Sequence, residues 1–227
     1  GLDCIAPQLW DLHRPVLYDA VAQLWRGGRL EDEQAQSFGF REFEIRGRDF
    51  YLNGRKVTLF RKLGCNGLGR IDGNRDRLSN RVFNGNSFRG VYGLCNEENI
   101  RAADRMGFMS VPELGWHCAD SYPAEARDIW LPNVLESFTR FVKQHRNHPS
   151  VVMWSLTNET YWGRNEPGEM AAAKAIAEQV AKLDPTRPTQ GDGEVNWNGL
   201  LPIINLHYPE GTAGTLRLRY TNAGVTV

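Results

Sequence analysis

No apolar run in this sequence approaches the ~20 residues that an α-helical membrane span needs, so a membrane protein of that kind is not expected. Nor is charge of either sign in excess. The 227 residues carry 27 Lys+Arg against 27 Asp+Glu, a formal net charge of zero, which argues against a surface built for nucleic acid or anionic lipid. Cysteine is scarce. Cys4, Cys65, Cys95 and Cys118 stand far apart with no C-x-x-C pair, so they read as isolated thiols rather than a zinc or redox motif. The chain opens on Gly1 without the basic and apolar regions of a signal peptide, and is expected to be a fragment.

What is present falls into two patterns. From Leu12 to Phe60 apolar and polar residues alternate in short runs: Val16-Leu17-Tyr18, Val21 to Trp25, and Phe38 to Ile45, with Gly27-Gly28 as a turn. These predict half-buried antiparallel strands. Asn53-Gly54 between Phe50-Tyr51-Leu52 and Val57 to Phe60 predicts a hairpin with a type I′ turn.

Beyond residue 60 strands and helices are expected to alternate. Asn86 to Arg89 reads as a strand. Asn96 caps a helix with Glu97 and Glu98 in its first turn and Gly107 as its stop. Phe108 to Pro112 is the next strand. Pro132 is placed in the first turn of a helix whose stripe is Val134, Leu135, Phe138, Phe141 and Val142. Val151 to Leu156 is a continuous apolar strand of the kind buried on both faces of a parallel sheet. Met170, Ala173, Ala177 and Val180 mark a further helix, and Ile203 to Tyr208 a last strand. Arg61 to Gly85 shows no regular spacing and reads as mostly loop. Repeated βα units imply a parallel α/β architecture.

Ser155-Leu156-Thr157-Asn158-Glu159 places polar residues at the carboxyl end of a buried strand, the end where a (β/α) barrel carries its active site. A carboxyl group delivered there beside Trp154 and Trp162 is expected to have a raised pKa and to act as a general acid. Arg89, Glu113 and His207-Tyr208 end other strands and are expected at the same mouth. Five of the seven tryptophans, Trp116 among them, lie in this region and could stack on a sugar ring. Asn158-Glu159-Thr160 matches an N-glycosylation pattern, read here as chance. His145 and His148 form an H-x-x-H pair in the loop entering the apolar strand at its amino end. No metal is expected there, and no cofactor is expected.

The chain resembles glycoside hydrolase family 2, the β-galactosidase, β-glucuronidase and β-mannosidase group. Pro15 to Tyr18, Phe38 to Arg41 and Leu52 to Gly54 resemble that family's passage from an immunoglobulin-like sandwich into its barrel. Asn86 to Arg89, Gly107 to Glu113 and Asn147-His148-Pro149-Ser150 to Asn158-Glu159 resemble successive barrel segments. The resemblance implies the end of a β-sandwich at residues 1–48, followed over 49–227 by a (β/α)8 TIM-type barrel truncated to about six strands, with Val57 to Phe60 as the first. It implies a retaining, exo-acting β-glycosidase with a carbohydrate substrate. Glu159 would be the acid/base, Asn158 the partner of the sugar 2-hydroxyl, and Arg89 and Glu113 support. Trp116, His207 and Tyr208 are further substrate-binding candidates.

Two departures qualify this. Val91-Tyr92-Gly93-Leu94 stands where many members carry Ser-His-Tyr-Pro, which leaves the sugar open. Residues 49–227 also fall short of the ~250 residues typical of the fold. The nucleophilic carboxylate is therefore expected outside this chain, with Glu194 and Glu210 as weak substitutes. A carbohydrate-binding or pseudo-enzyme protein without that nucleophile, and an interaction module, are the alternatives.

Overall fold

The structure, a computed structural model, describes residues 6–60, 81–90, 97–114, 127–158, 167–192 and 199–205. The chain begins with an antiparallel ribbon of β1 (Tyr18–Arg26) and β2 (Arg29–Phe38), turned at Gly27-Gly28, both at positive φ. Half-burial was expected here, but residues 19–35 are exposed, with Val21, Leu24, Trp25 and Leu30 among them. The alternation is real but, among the described residues, nothing covers either face of the ribbon's outer part. β3 (Phe43–Arg46), β4 (Asp49–Leu52) and β5 (Arg55–Val57) then form a three-stranded antiparallel sheet. The hairpin at Asn53-Gly54 is present, with φ of 51° and 75° closing Leu52 onto Arg55, as a two-residue type I′ loop requires.

The parallel part is β6 (Ser87–Gly90), β7 (Met109–Pro112), β8 (Trp154–Asn158) and β9 (Thr189–Asp192). β6 pairs with β7 and β8 with β9, while parallel bridges Ser110↔Val151 and Glu113↔Ser155 join the two pairs. Three helices lie between the strands in sequence: α1 (Glu97–Met106), α2 (Arg127–His145) and α3 (Pro167–Leu183). Val57 to Phe60 is not a parallel strand, because Arg55–Val57 is the closing arm of the hairpin. Residues 58–60 are still tied to the barrel: Asn86 and Ser87 donate their N–H groups to the Phe60 carbonyl at 2.8 and 3.2 Å. Ile203 to Asn205 belongs to no strand. Most of Arg61 to Gly85, read as loop, lies outside the described residues.

Three local expectations need correction. Pro132 sits inside α2 rather than in its first turn, so the helix starts earlier than the proline suggested and tolerates one missing donor. The strand at Val151 begins as an isolated bridge, and regular pairing starts only at Trp154. β9, Thr-Gln-Gly-Asp, is fully buried although it contains no apolar side chain.

Alternation along the strands separates two cores. Phe88, Phe108, Trp154 and Leu156 pack outward on Ile100, Phe138, Val142, Ile176 and Val180 of the helices. Met109, Val111 and Met153 face the interior, where Trp10, Phe43 and Leu52 close its floor. Gly107 ends α1 at φ 65°, and a Cβ there would meet the Leu12 carbonyl. The helix stop therefore also lets the amino-terminal segment lie against the barrel.

The segment leading into β8 is held by charge. Arg41 donates to the carbonyls of Pro149 (3.1 Å) and Val151 (2.5 Å), and Arg187 to those of Val151 (2.6 Å) and His148 (3.0 Å). Burial, together with the Arg187 charge, pushes the Arg41 guanidinium down to about 9, with Asp184 pulling the other way. Asp184 accepts from Arg187 at 2.7 Å and from the Trp154 indole at 3.0 Å. Burial opposes the charge on Asp184, but the Arg187 charge and hydrogen bonds from Thr186, Trp154 and Arg187 outweigh it and hold its carboxyl below its usual 3.8.

A carboxyl depressed in the folded state stabilises the fold above its unfolded pKa, and that contribution is lost as pH falls through the folded value. Asp184→Asn is thus expected to lower stability at pH 7 by about 2 kcal/mol, the range for hydrogen bonds to a charged group. The two proteins should converge as pH drops below 3.8. Urea denaturation at pH 7 and pH 3 measures this, and a penalty equal at both pH values would contradict it.

Candidate active site

The carboxyl ends of β6 to β9 converge on one guanidinium. Arg89, near the end of β6, donates from Nη2 to Asn158 Oδ1 at 2.8 Å. Its Nη1 forms an ion pair with Asp192 of β9. Its Nε lies 3.6 Å from Glu113 Oε2, just beyond β7. Glu113 is wholly buried and also accepts from Ser155 Oγ of β8 at 3.1 Å. Arg89 itself keeps only 11% of its side chain exposed. Two carboxyl groups beside one guanidinium fix its plane, and the planar fork lets it address several partners at once, which a lysine could not do.

Asn158 reaches this cluster through an irregularity. In the β8–β9 ladder Ser155 pairs with Gln190 and Asn158 with Asp192, three residues opposite two. A bulge of this kind turns the following side chain to the other face of the strand. Without it Asn158 would share the outward parity of Trp154 and Leu156. With it, Asn158 lies on the interior side with Ser155.

Of the site residues read from the sequence, Arg89, Glu113 and Asn158 are brought together. Glu159, Trp116, His207 and Tyr208 lie outside the described residues, as do Trp162, Glu194 and Glu210. Trp154 does not wall this site: it packs among the helices, edge-on to Phe141 at 5.8 Å. Asp192 was missed. It ends a strand with no apolar side chain, and the signal that could have found it is rhythm: after α3 another strand is due, and its last residue is a carboxylate.

Residues 43–210, which contain these strands, match the family model "Glycosyl hydrolases family 2, TIM barrel domain". A second model, "Glycosyl hydrolases family 2", matches residues 2–41. The chain belongs to glycosyl hydrolase family 2. Its fold is part of a TIM-type barrel, preceded by the antiparallel strands that the second model covers. The family 2 chain is 30% identical over 204 residues to a β-galactosidase of Pectobacterium atrosepticum, covering 85% of this chain and 19% of that protein. Among solved structures it resembles the Parabacteroides merdae β-glucuronidase with glycerol in its active site. That match has a TM-score of 0.76 at 22% identity, over 96% of this chain and 29% of the other. The Bacteroides uniformis β-glucuronidase 3 follows at 0.66 and 26%, over 82% and 25%. The family 2 chain thus spans about a fifth to a quarter of the length of the curated relatives it matches.

Removing Asp192 takes away one of the carboxyl groups beside the buried Arg89. Asp192→Ala is expected to destabilise the fold by ~3–5 kcal/mol, the range for breaking a buried ion pair from one side. A denaturant midpoint unchanged by Asp192→Ala would show that this pair does not hold the strand ends.

Proposed function

We propose that this chain carries the acid/base part of a retaining, exo-acting β-glycosidase, with Glu159 as the proton donor and Asn158 as the partner of the sugar 2-hydroxyl. The observation that carries the reading is the anchoring of Asn158: a buried amide at the end of β8, held by Arg89, in the residue next to Glu159. A side-chain amide carries both an acceptor oxygen and N–H donors, the two kinds of group that a sugar hydroxyl can pair with. Arg89, Glu113 and Asp192 then act as positioning residues that set where the end of β8 points.

In the chemistry proposed, the protonated Glu159 gives its proton to the glycosidic oxygen as the bond to C1 breaks and a second carboxylate bonds to C1. The leaving alcohol departs with that proton. Glu159, now ionised, takes a proton from water as the water oxygen attacks C1 and releases the second carboxylate. Retention requires the two carboxyl groups ~5–5.5 Å apart. Glu113, engaged by Arg89 and Ser155, is part of the positioning network rather than a candidate for that attack.

Glu159→Gln keeps the shape and removes the transferable proton. In the full-length protein, hydrolysis of β-glycosides with poor leaving groups should fall by ~10²–10⁴-fold. Activated aryl glycosides, which need little protonation, should lose far less in the step that forms the glycosyl-enzyme. Equal loss on both substrate types would overturn the role of Glu159. Saturable sugar binding with no Glu159-dependent turnover would favour a binding protein instead.

A further inference from the structure

Outside the strand-end cluster, one group of side chains on the helical layer has the composition and spacing of a metal site. Glu97 opens α1, His145 closes α2, and His148 follows three residues later in the turn before β8. Their ligating atoms lie within 4.8 Å of one another. His145 Nδ1 is 3.1 Å from Glu97 Oε2, and His148 Nε2 is 3.3 Å from Glu97 Oε1. Two ligands on a tetrahedral ion with bonds of about 2.0–2.1 Å are about 3.3 Å apart.

We propose that Glu97, His145 and His148 bind one divalent transition ion of the zinc type, pinning the start of α1 to the end of α2. Two further observations support this. The first is the state of the nitrogens. Both histidines are almost wholly buried. Yet neither His145 Nδ1 nor His148 Nε2 makes a hydrogen bond of acceptable angle among the described residues, and Glu97 Oε2 makes none either. The two nitrogens are close to the carboxylate without hydrogen-bonding to it, so three buried polar atoms lie side by side with no hydrogen-bond partner among the described residues. Groups of this kind ordinarily find a partner.

The second is the orientation of His148. Its other nitrogen, Nδ1, lies 2.5 Å from Asp104 Oδ2, while Asp104 Oδ1 accepts from the Ser150 N–H at 3.0 Å. An ionised carboxylate can only accept, so Nδ1 carries a proton here, and Nε2 is the ring nitrogen on the side of Glu97. A carboxylate holding the far side of a ligating imidazole is the usual outer support of a bound metal. Arg101 Nε donates to Glu97 Oε1 at 2.7 Å, which fixes the carboxylate and leaves Oε2 for the ion. Glu97 is about a third exposed, so the three ligating atoms, themselves buried, lie directly beneath a surface side chain. Two imidazoles and one carboxylate favour zinc or its neighbours over magnesium or calcium, which prefer oxygen alone.

This site is independent of the glycosidase reading, since it lies among the outer helices and uses none of the residues at the strand ends. The test uses the full-length protein, stripped with a chelator and titrated with ZnCl2 by calorimetry, with Co2+ as a spectroscopic probe. One equivalent of Zn2+ should bind, raise the melting temperature, and give Co2+ visible bands of nitrogen and oxygen ligation. MgCl2 should do none of this. Glu97→Gln changes a partly exposed residue and should fold. It and His145→Gln should each weaken Zn2+ binding at least tenfold and abolish the thermal shift. If a histidine variant fails to fold, Glu97→Gln and the Co2+ spectrum still decide. No saturable binding, binding unchanged by Glu97→Gln, or Co2+ bands without nitrogen ligation would each overturn the proposal.

Discussion

A guanidinium offers five N–H donors in one plane, and Arg89 directs its donors to three neighbouring strands. Parallel strands leave their carboxyl ends without a shared turn, because each connection runs out through a helix and back. Something must therefore set the relative height of β6, β7, β8 and β9 at the mouth. Here a single cation does so, joined to Glu113, Asn158 and Asp192, with Ser155 completing the ring through Glu113. Burial gives these contacts their strength and also makes the cluster intolerant, since any member removed leaves the others desolvated without compensation.

The amino end of the same strands is organised differently. There the loop before β8 gives up carbonyls rather than side chains: Pro149, Val151 and His148 accept from Arg41 and Arg187. Gly39 packs so closely on Pro149 that a Cβ would fall 2.8 Å from its ring. The segment between the first sheets and the barrel thus touches the barrel through the chain that leads into β8. The two ends share β8, so the position of the mouth depends on both.

Much of this was legible because it is periodic. The βα alternation, the hairpin at Asn53-Gly54, the helix from Glu97 to its stop at Gly107, and the strand ends at Arg89 and Glu113 all follow from local spacing. What was not legible depends on tertiary placement. β9 is buried yet reads Thr-Gln-Gly-Asp, so no apolar pattern announced it, and Asp192 went unseen with it. Trp154 looks from sequence like a wall of the site, but strand parity sends it to the helices. The exposed β1–β2 ribbon has the alternation of a half-buried sheet, because a pattern records which face could be covered, not whether it is. His145 and His148 were visible as a pair at the wrong end of a strand, whereas Glu97, 48 positions earlier, could only be added by folding.

The bulge in β8 joins these themes. A regular strand sends alternate side chains to the same face, so in an unbroken ladder Asn158 would point outward with Trp154 and Leu156. Three residues opposite two between Ser155 and Asn158 give up one rung of pairing with β9. In exchange Asn158 moves to the side of Arg89 and Asp192, where its amide is fixed. The lost rung would weaken an isolated pair of strands, but the Arg89 contacts act at the same place and hold β8 to β6 and β9 beyond it. Irregular pairing and the buried cation are therefore two parts of one device: the bulge supplies the direction of Asn158, and the guanidinium supplies the restraint that the missing hydrogen bonds no longer give.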